Sequence, residues 1–370
     1  MFSFYYQRIL FLLRTPSQQK MTTPEIYSAF RRTTGEISGS IERSSEKLPG
    51  ELAPNEVLIK IHAVSLNFRD VAMVHGLYPV EVEKGGISCS DCAAEVVAAG
   101  SAVKEFTIGD HVSPIFDLSN FTGDENTPSR ALGGEAPGVL REYAVFEDKF
   151  LVQLPKHLSW EEAATITCAG VTAWTSLNSP TSVCRPTSAL LQGTGGVSMF
   201  ALLICIAAGI QPIITSSSDE KLETIKKLGP QVRGINYKKT PDQAAEIQRL
   251  TKGEGVDVVV NNTGPASIPT DISFLRHRGG TVSLVGFLAG QSGTWEPNAI
   301  MGLMGKSAKI QGIAVGSKVD YVRLNQFLDD KKISLAPLID RVFPFQDSKA
   351  AFEYLYSGSH VGKVIIKVQD

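Results

Sequence analysis

The 370-residue chain is 43% hydrophobic and 20% charged, with a net charge of −2. That balance and length describe an ordinary globular chain of about two domains. They exclude the basic field that a nucleic-acid backbone requires. The five cysteines, Cys89, Cys92, Cys168, Cys184 and Cys205, are an odd number scattered along the chain. This fits free thiols in a reducing, cytoplasmic setting better than a disulfide framework.

The first twenty residues, "MFSFYYQRILFLLRTPSQQK", carry Arg8, Arg14 and Lys20 and no acid. The apolar stretch "ILFLL" is too short to span a bilayer, and no small-residue cleavage site follows it. Two readings stand: an extension upstream of a working protein that begins near Met21, or a mitochondrial presequence. No longer apolar run follows, so no membrane segment is expected.

Residues 21–158 read as a β-rich first domain. "NEVLIKIHAVSL" alternates like a half-buried strand. "AAEVVAAGSAVKEFTIGDHVSPIF" reads as two strands around a turn at Gly100, and "GVLREYAVF" as another strand. Residues 119–138 are polar and turn-rich and are expected to form a surface loop. At "SWEE" the character changes: Ser159 and Glu162 have the spacing of a capping box. From about residue 188, strands "ALLQ", "PIIT", "GINY", "VDVVVNN", "GTVSLVGF" and "KIQGIAVG" are separated by helical segments. The first of these, "VSMFALLICIAAG", closes on Gly209 as a C-cap. Such alternation predicts an α/β fold, a doubly wound parallel sheet covered on both faces, over residues 159–334. A short helix, "QDSKAAFEYLYSG", and a final strand, "GKVIIKV", remain within 335–370.

"LLQGTGGVS" (190–198) sits between the first predicted strand and helix of that unit. Its spacing is G-x-G-x-x-S. Gly193 allows a tight turn, Gly195 a close backbone approach to a pyrophosphate, and Ser198 is small where helix meets strand. With Thr194, Gly196 and Val197 these residues form a candidate dinucleotide turn, its phosphates on the helix N-terminus. About twenty residues on, where an NAD site places an acid for the ribose 2′-hydroxyl, the chain reads "TSSSDEK". Ser216, Ser217 and Lys221 suit a 2′-phosphate dianion, whereas a carboxylate would repel it. Asp219 and Glu220 begin the next helix, where they favour its N-terminus. NADPH is therefore the expected cofactor.

Taken together and in order, "VLIKIHAVSLNFRD", "GLYP", "EVVAAGSAVKEFTIGDHV", "EEAATITCAGVTAW", "LLQGTGGVS", "GVDVVVNNTG", "SLVGF" and "HVGKVIIKV" resemble the medium-chain dehydrogenase/reductases. The likeness covers about residues 25–368 and is to the zinc-free side, with quinone oxidoreductases and zinc-type alcohol dehydrogenase-like proteins. It implies a GroES-like catalytic domain, completed by residues 335–370, joined to a Rossmann domain, and a homodimer. It also implies that Asn67 and Thr172 lie near the nicotinamide, that Lys221 and Tyr237 hold the 2′-phosphate, and that Asn262, Gly286 and Phe287 line the nicotinamide side.

Zinc-dependent relatives need Cys, His and Cys ligands and an open position. Here Phe68 or Arg69 stands at the first ligand position, Ser90 at the histidine position, and only Cys168 survives. Cys89 and Cys92 form a lone C-x-x-C without a second pair. No metal is expected. Hydride then has to reach an acceptor needing less Lewis-acid help: an activated C=C, a quinone or a hydrogen-bonded carbonyl. Tyr78, Arg69 and Ser90 are candidate donors, and Asn67, Tyr78 and Thr172 the candidate catalytic set. Arg69 and Asp70 also read as a structural ion pair near the cleft. Two alternatives stay open: a broad-specificity alcohol dehydrogenase, and an NADPH-binding protein with little turnover. The substrate is a small molecule, with no nucleic acid or membrane as partner. "KIQGIAVG" is the expected sheet edge, a surface that relatives pair across a two-fold.

Overall fold

The computed structural model describes residues 24–34, 39–178, 180–182 and 187–369. The basic segment 1–20 and Cys184 lie outside them. No helix among the described residues is long and apolar enough to cross a membrane.

Six parallel strands form one sheet in the order Arg233–Asn236, Gln211–Ser216, Ser188–Leu191, Val258–Asn261, Thr281–Leu284 and Lys309–Gly312. The chain starts in the middle, works outward to one side, then returns and builds the other. The reversal lies between Ser188–Leu191 and Val258–Asn261, and a crevice at such a point is where open α/β sheets bind ligands. The inner strands are continuous apolar runs because helices cover both faces. The helix Gly196–Ala208 is buried along most of its length and ends on Gly209 at φ 73°, a left-handed conformation that glycine adopts without cost. Lys309–Gly312 pairs on one side only, as expected of an edge.

The second sheet is mixed. Its order is Ile339–Pro344, Lys363–Lys367, Glu56–Ser65, Asp91–Ala99, His111–Pro114 and Leu151–Gln153, with Tyr143–Glu147 also on Glu56–Ser65. The last strand of the chain thus returns to the centre of the first sheet-forming region, antiparallel to Glu56–Ser65. Gly100 sits at the expected turn, and a Cβ there would meet the Ala53 carbonyl oxygen at 2.1 Å.

Several elements exceed the sequence expectation. A hairpin pairs Ile26–Arg32 with Ile41–Lys47. The outer strand Ile339–Pro344 is largely exposed, so its sequence lacks a clean apolar alternation. The helix Lys318–Asp330 buries Tyr321, Leu324 and Leu328 on one face, and its Ser317–Asp320 capping box marks its start. One expectation is corrected. Residues 119–130 lie largely at the surface, but 131–138 do not form a surface loop: Leu132 is fully buried and Ala131 and Ala136 nearly so. The reason is polar. The carbonyls of Leu132 and Gly133 accept hydrogen bonds from the buried guanidinium groups of Arg69 and Arg32, at 2.8 and 2.5 Å. A Cβ on Gly133 would press on the Cys89 backbone at 2.7 Å. A segment rich in glycine and alanine therefore packs where larger polar residues would not fit.

Candidate active site

The glycine turn lies at the reversal of the parallel sheet. Gly193 has φ 79° and nothing within 4 Å of a Cβ position; the space at Gly195 is likewise open. Gly195 caps the helix Gly196–Ala208, whose first N–H groups are free of intrahelical partners. Open glycines before a free helix end suit a pyrophosphate. Gly196 is different: a Cβ there would meet the stem of Lys363 at 2.6 Å. Ser198 does more than stay small. Its hydroxyl donates to the Gln192 carbonyl at 2.8 Å and accepts from the Asn262 amide at 3.0 Å. Asn262 also donates to the Gln192 carbonyl. Its side chain thus ties two strand ends together.

Beneath the turn lies a buried network. Gln192 donates to Asp271 at 2.6 Å, and Asn261 and Ser267 donate to the other Asp271 oxygen at 2.6 and 3.0 Å. Asn261 Oδ1 accepts the Gly264 N–H. Burial pushes the Asp271 carboxyl up to about 6 against these hydrogen bonds. Nothing in the local pattern marks this group, because Asp271 reads as an ordinary polar residue on a helix.

At the far end of the turn, Gln211–Ser216 ends on buried Ser216, with Ser217 exposed beside it. Ser218, and not Asp219, caps the helix Asp219–Lys226, accepting the Lys221 N–H. Asp219 accepts from Asn236 and forms an ion pair with Lys239. Tyr237 is 45% exposed and next to this corner. The Lys221 ammonium donates to the carbonyls of Ser359 and His360 at 3.2 and 3.1 Å. Lys221 is thus at the expected corner but engaged with the segment preceding the last strand.

Asn67 begins the short helix Phe68–Val74, and its N–H is held by Asp70 Oδ2 at 2.7 Å. Its Oδ1 accepts from the Lys363 ammonium at 2.5 Å. Rings gather beside it: Phe68 and Tyr78 both lie against Phe287, at centroid distances of 6.2 and 6.4 Å. Gly286 stacks on the Asn262 backbone, within 3.0 Å of a Cβ position. The Arg69 guanidinium is buried between Phe116 and Tyr78, 4.8 and 5.5 Å from their ring centres, and 3.8 Å from Asp70. Burial drives the Asp70 carboxyl up to about 6, against the pull of Arg69. Thr172 is buried in the helix Val171–Ser176, directly after a π-helical turn at Ile166–Gly170. A π turn shifts the register of the side chains that follow it, which here include Thr172.

The donor set does not fit zinc. Cys168 is the one cysteine that stands at a ligand position implied by the resemblance, and burial, reinforced by Asp91, pushes its thiol up to about 12. Ser90 spends its hydroxyl on Asp91 at 2.7 Å. Arg69 and Lys363 place cations in the same neighbourhood. Among the described residues no three His, Cys, Asp or Glu side chains converge in a metal-binding arrangement. Cys89 and Cys92 are both fully buried, and burial raises both thiols.

The two sheets, with an open glycine turn at the reversal of the parallel one, define a two-part α/β scaffold. Residues 53–156 match the alcohol dehydrogenase GroES-like domain, and residues 196–330 match the family model described as zinc-binding dehydrogenase. The chain is 40% identical to a zinc-type alcohol dehydrogenase-like protein of Schizosaccharomyces pombe over 90% of its own length and 97% of the relative's. It superposes on a candidate alcohol dehydrogenase of Sinorhizobium meliloti with a TM-score of 0.84, at 29% identity over 94% of this chain and 100% of that one. A crotonyl-CoA carboxylase/reductase superposes with a TM-score of 0.79 at 25% identity, over 93% and 89% of the two chains. The chain belongs to the medium-chain dehydrogenase/reductase superfamily of NAD(P)H-dependent oxidoreductases.

Proposed function

We propose that this enzyme is NADPH-dependent and zinc-independent, and that it delivers hydride to an activated C=C, a quinone or a hydrogen-bonded carbonyl. The observation that carries the cofactor reading is the corner at Ser216. Hydroxyls of Ser216 and Ser217 stand where an NAD site has an acid, and Asp219, the next carboxylate along the chain, is ion-paired with Lys239 and hydrogen-bonded by the Asn236 amide. A 2′-phosphate would meet hydroxyl donors there. Tyr237 and Lys221 add a phenol and an ammonium.

NADPH would supply the hydride from its nicotinamide ring. The chain's own residues do the rest. Gly193, Thr194, Gly195, Gly196 and Val197 present backbone N–H groups to the pyrophosphate. Asn67, Thr172, Asn262, Gly286 and Phe287 bound the nicotinamide end, while Phe68, Tyr78 and Phe287 exclude water from it. Tyr78 donates a hydrogen bond or proton to the oxygen on which negative charge develops, and Arg69 behind its ring supports that charge. The similarity to a crotonyl-CoA carboxylase/reductase favours the activated C=C among the three acceptors.

The test is NADPH oxidation across a panel of enones, quinones and aldehydes, with metal content measured on the same sample. Enone or quinone reduction without bound metal is expected. Stoichiometric zinc, or oxidation of simple alcohols as the fastest reaction, would replace this reading with that of an alcohol dehydrogenase. Tight NADPH binding with no turnover would make it a cofactor-binding protein. Lys221→Ala should weaken NADPH by about tenfold and leave NADH unchanged, in line with the loss of a charge-assisted contact; an equal effect on both cofactors argues against the 2′-phosphate corner.

A further inference from the structure

Lys363 lies at the start of the last strand and is 2% exposed. A buried ammonium is costly unless its donors are used. Here one donates to the Leu66 carbonyl at 2.7 Å and another to Asn67 Oδ1 at 2.5 Å, with Asp91 Oδ2 at 3.8 Å. Lysine has no acceptor, so it can engage only the oxygen of the Asn67 amide. The amide therefore has one orientation, and its nitrogen must face away from Lys363. That nitrogen, Asn67 Nδ2, is buried and without a hydrogen-bond partner. An orphaned buried donor in a native fold calls for an explanation.

The rest of Lys363 faces the cofactor turn. Its stem fills the place a Cβ on Gly196 would occupy. The residue before it, Gly362, bridges to Gly195 and donates its N–H to the Thr194 carbonyl at 2.9 Å. One segment of the last strand thus touches both the pyrophosphate turn and Asn67.

We propose that Lys363 is a positioning residue that fixes the Asn67 amide so that Nδ2 donates to the carboxamide oxygen of a bound nicotinamide. Lys363 acts on the nicotinamide end through Asn67, and its stem keeps that amide in register with the phosphate turn. The proposal rests on the dinucleotide reading of the site. It adds a residue to it, and it is independent of which substrate accepts the hydride.

Fluorescence titration of the purified full chain with two ligands tests it: NADPH, and 2′-phospho-ADP-ribose, which carries both phosphate groups but no nicotinamide. Lys363→Met keeps the stem and removes the ammonium. Asn67→Asp keeps an acceptor for Lys363 and removes the donor. Each should weaken NADPH about tenfold, the worth of one buried hydrogen bond, and leave 2′-phospho-ADP-ribose within about twofold. The double variant should bind NADPH no more weakly than Asn67→Asp alone, because the two changes remove one interaction. Equal losses for both ligands would mean that Lys363 serves the pyrophosphate directly and would overturn the proposal, as would additive losses in the double variant. Should Lys363→Met not fold, Asn67→Asp still decides: unchanged NADPH binding overturns the proposal. Failure of the NADPH reading looks different. It would appear as tighter binding of NADH by the unmodified protein, with the contrast between whole cofactor and nicotinamide-free fragment then read with NADH and ADP-ribose.

Discussion

Single residues carry the sharpest consequences. Gly193 holds φ 79°, so Gly193→Val places a branched side chain in a left-handed conformation and fills the open space beside the turn. A loss of about 1–2 kcal/mol of stability should accompany a much larger loss of cofactor affinity, both read by thermal melts with and without NADPH. Melts that shift equally in the two conditions would show that the turn does not touch cofactor. Asp271 gives a pH signature. Its carboxyl is raised to about 6 by burial, against an ordinary value near 3.9. The native state therefore favours the protonated form. The stability this gives is complete below about pH 4 and is lost as the pH rises through about 6. The advantage of the wild-type chain over Asp271→Asn in chemical denaturation should shrink across that window. A difference that stays constant with pH would rule out Asp271 as a titrating group there.

At the scale of elements, the junction after the strand Leu151–Gln153 of the mixed sheet depends on Glu162. Ser159 and Glu162 were legible as a capping box, and the reciprocal bonds form at 3.2 and 3.0 Å. The other Glu162 oxygen accepts from Ser334 Oγ and from the N–H groups of Leu335 and Ala336, each at 2.8 Å. Burial pushes this carboxyl up, but those hydrogen bonds outweigh it and hold it below the ordinary carboxylate range. The stability it contributes is present above about pH 4.5 and is lost as the pH falls through its depressed value. Glu162→Ala should cost about 2–3 kcal/mol at neutral pH, more than the ~1 kcal/mol of a cap alone. Urea denaturation of Glu162→Ala beside Ser159→Ala checks this, and equal costs would show that the long-range half of the interaction is idle. Nothing local predicts those three partners, since they lie more than 170 residues away.

For the molecule as a whole, the expectation is a homodimer built on the edge strand Lys309–Gly312. The strand pairs on one side only, and Met301 and Met304 before it are 53% and 72% exposed. An unpaired edge beside exposed apolar side chains is a surface that proteins ordinarily cover. Light scattering should give twice the chain mass, and Gly312→Pro, which removes an N–H on the unpaired side of the strand at a position with open space for a side chain, should give monomers. A monomeric wild-type protein would refute the assignment.

Much of this was written in the sequence. The β-α alternation, the apolar inner strands and the glycines of the turn follow from local rules: strands buried on both faces are continuously apolar, and a tight turn before a helix needs glycine. The residues that would have made a zinc site could be seen to be missing, position by position. What local rules cannot reach is pairing between distant segments. The burial of 131–138 depends on Arg32 and Arg69, the network beneath the glycine turn centres on Asp271, and Lys221 reaches carbonyls near the last strand. Lys363 sits in "HVGKVIIKV" as one polar residue in an apolar strand. Only the return of that strand to the centre of the mixed sheet, beside Glu56–Ser65, brings its ammonium to Asn67. Sequence determines which elements form, because those choices are made over a few residues. The tertiary structure decides which polar groups meet, because a buried charge is stable only where the whole fold supplies its partners.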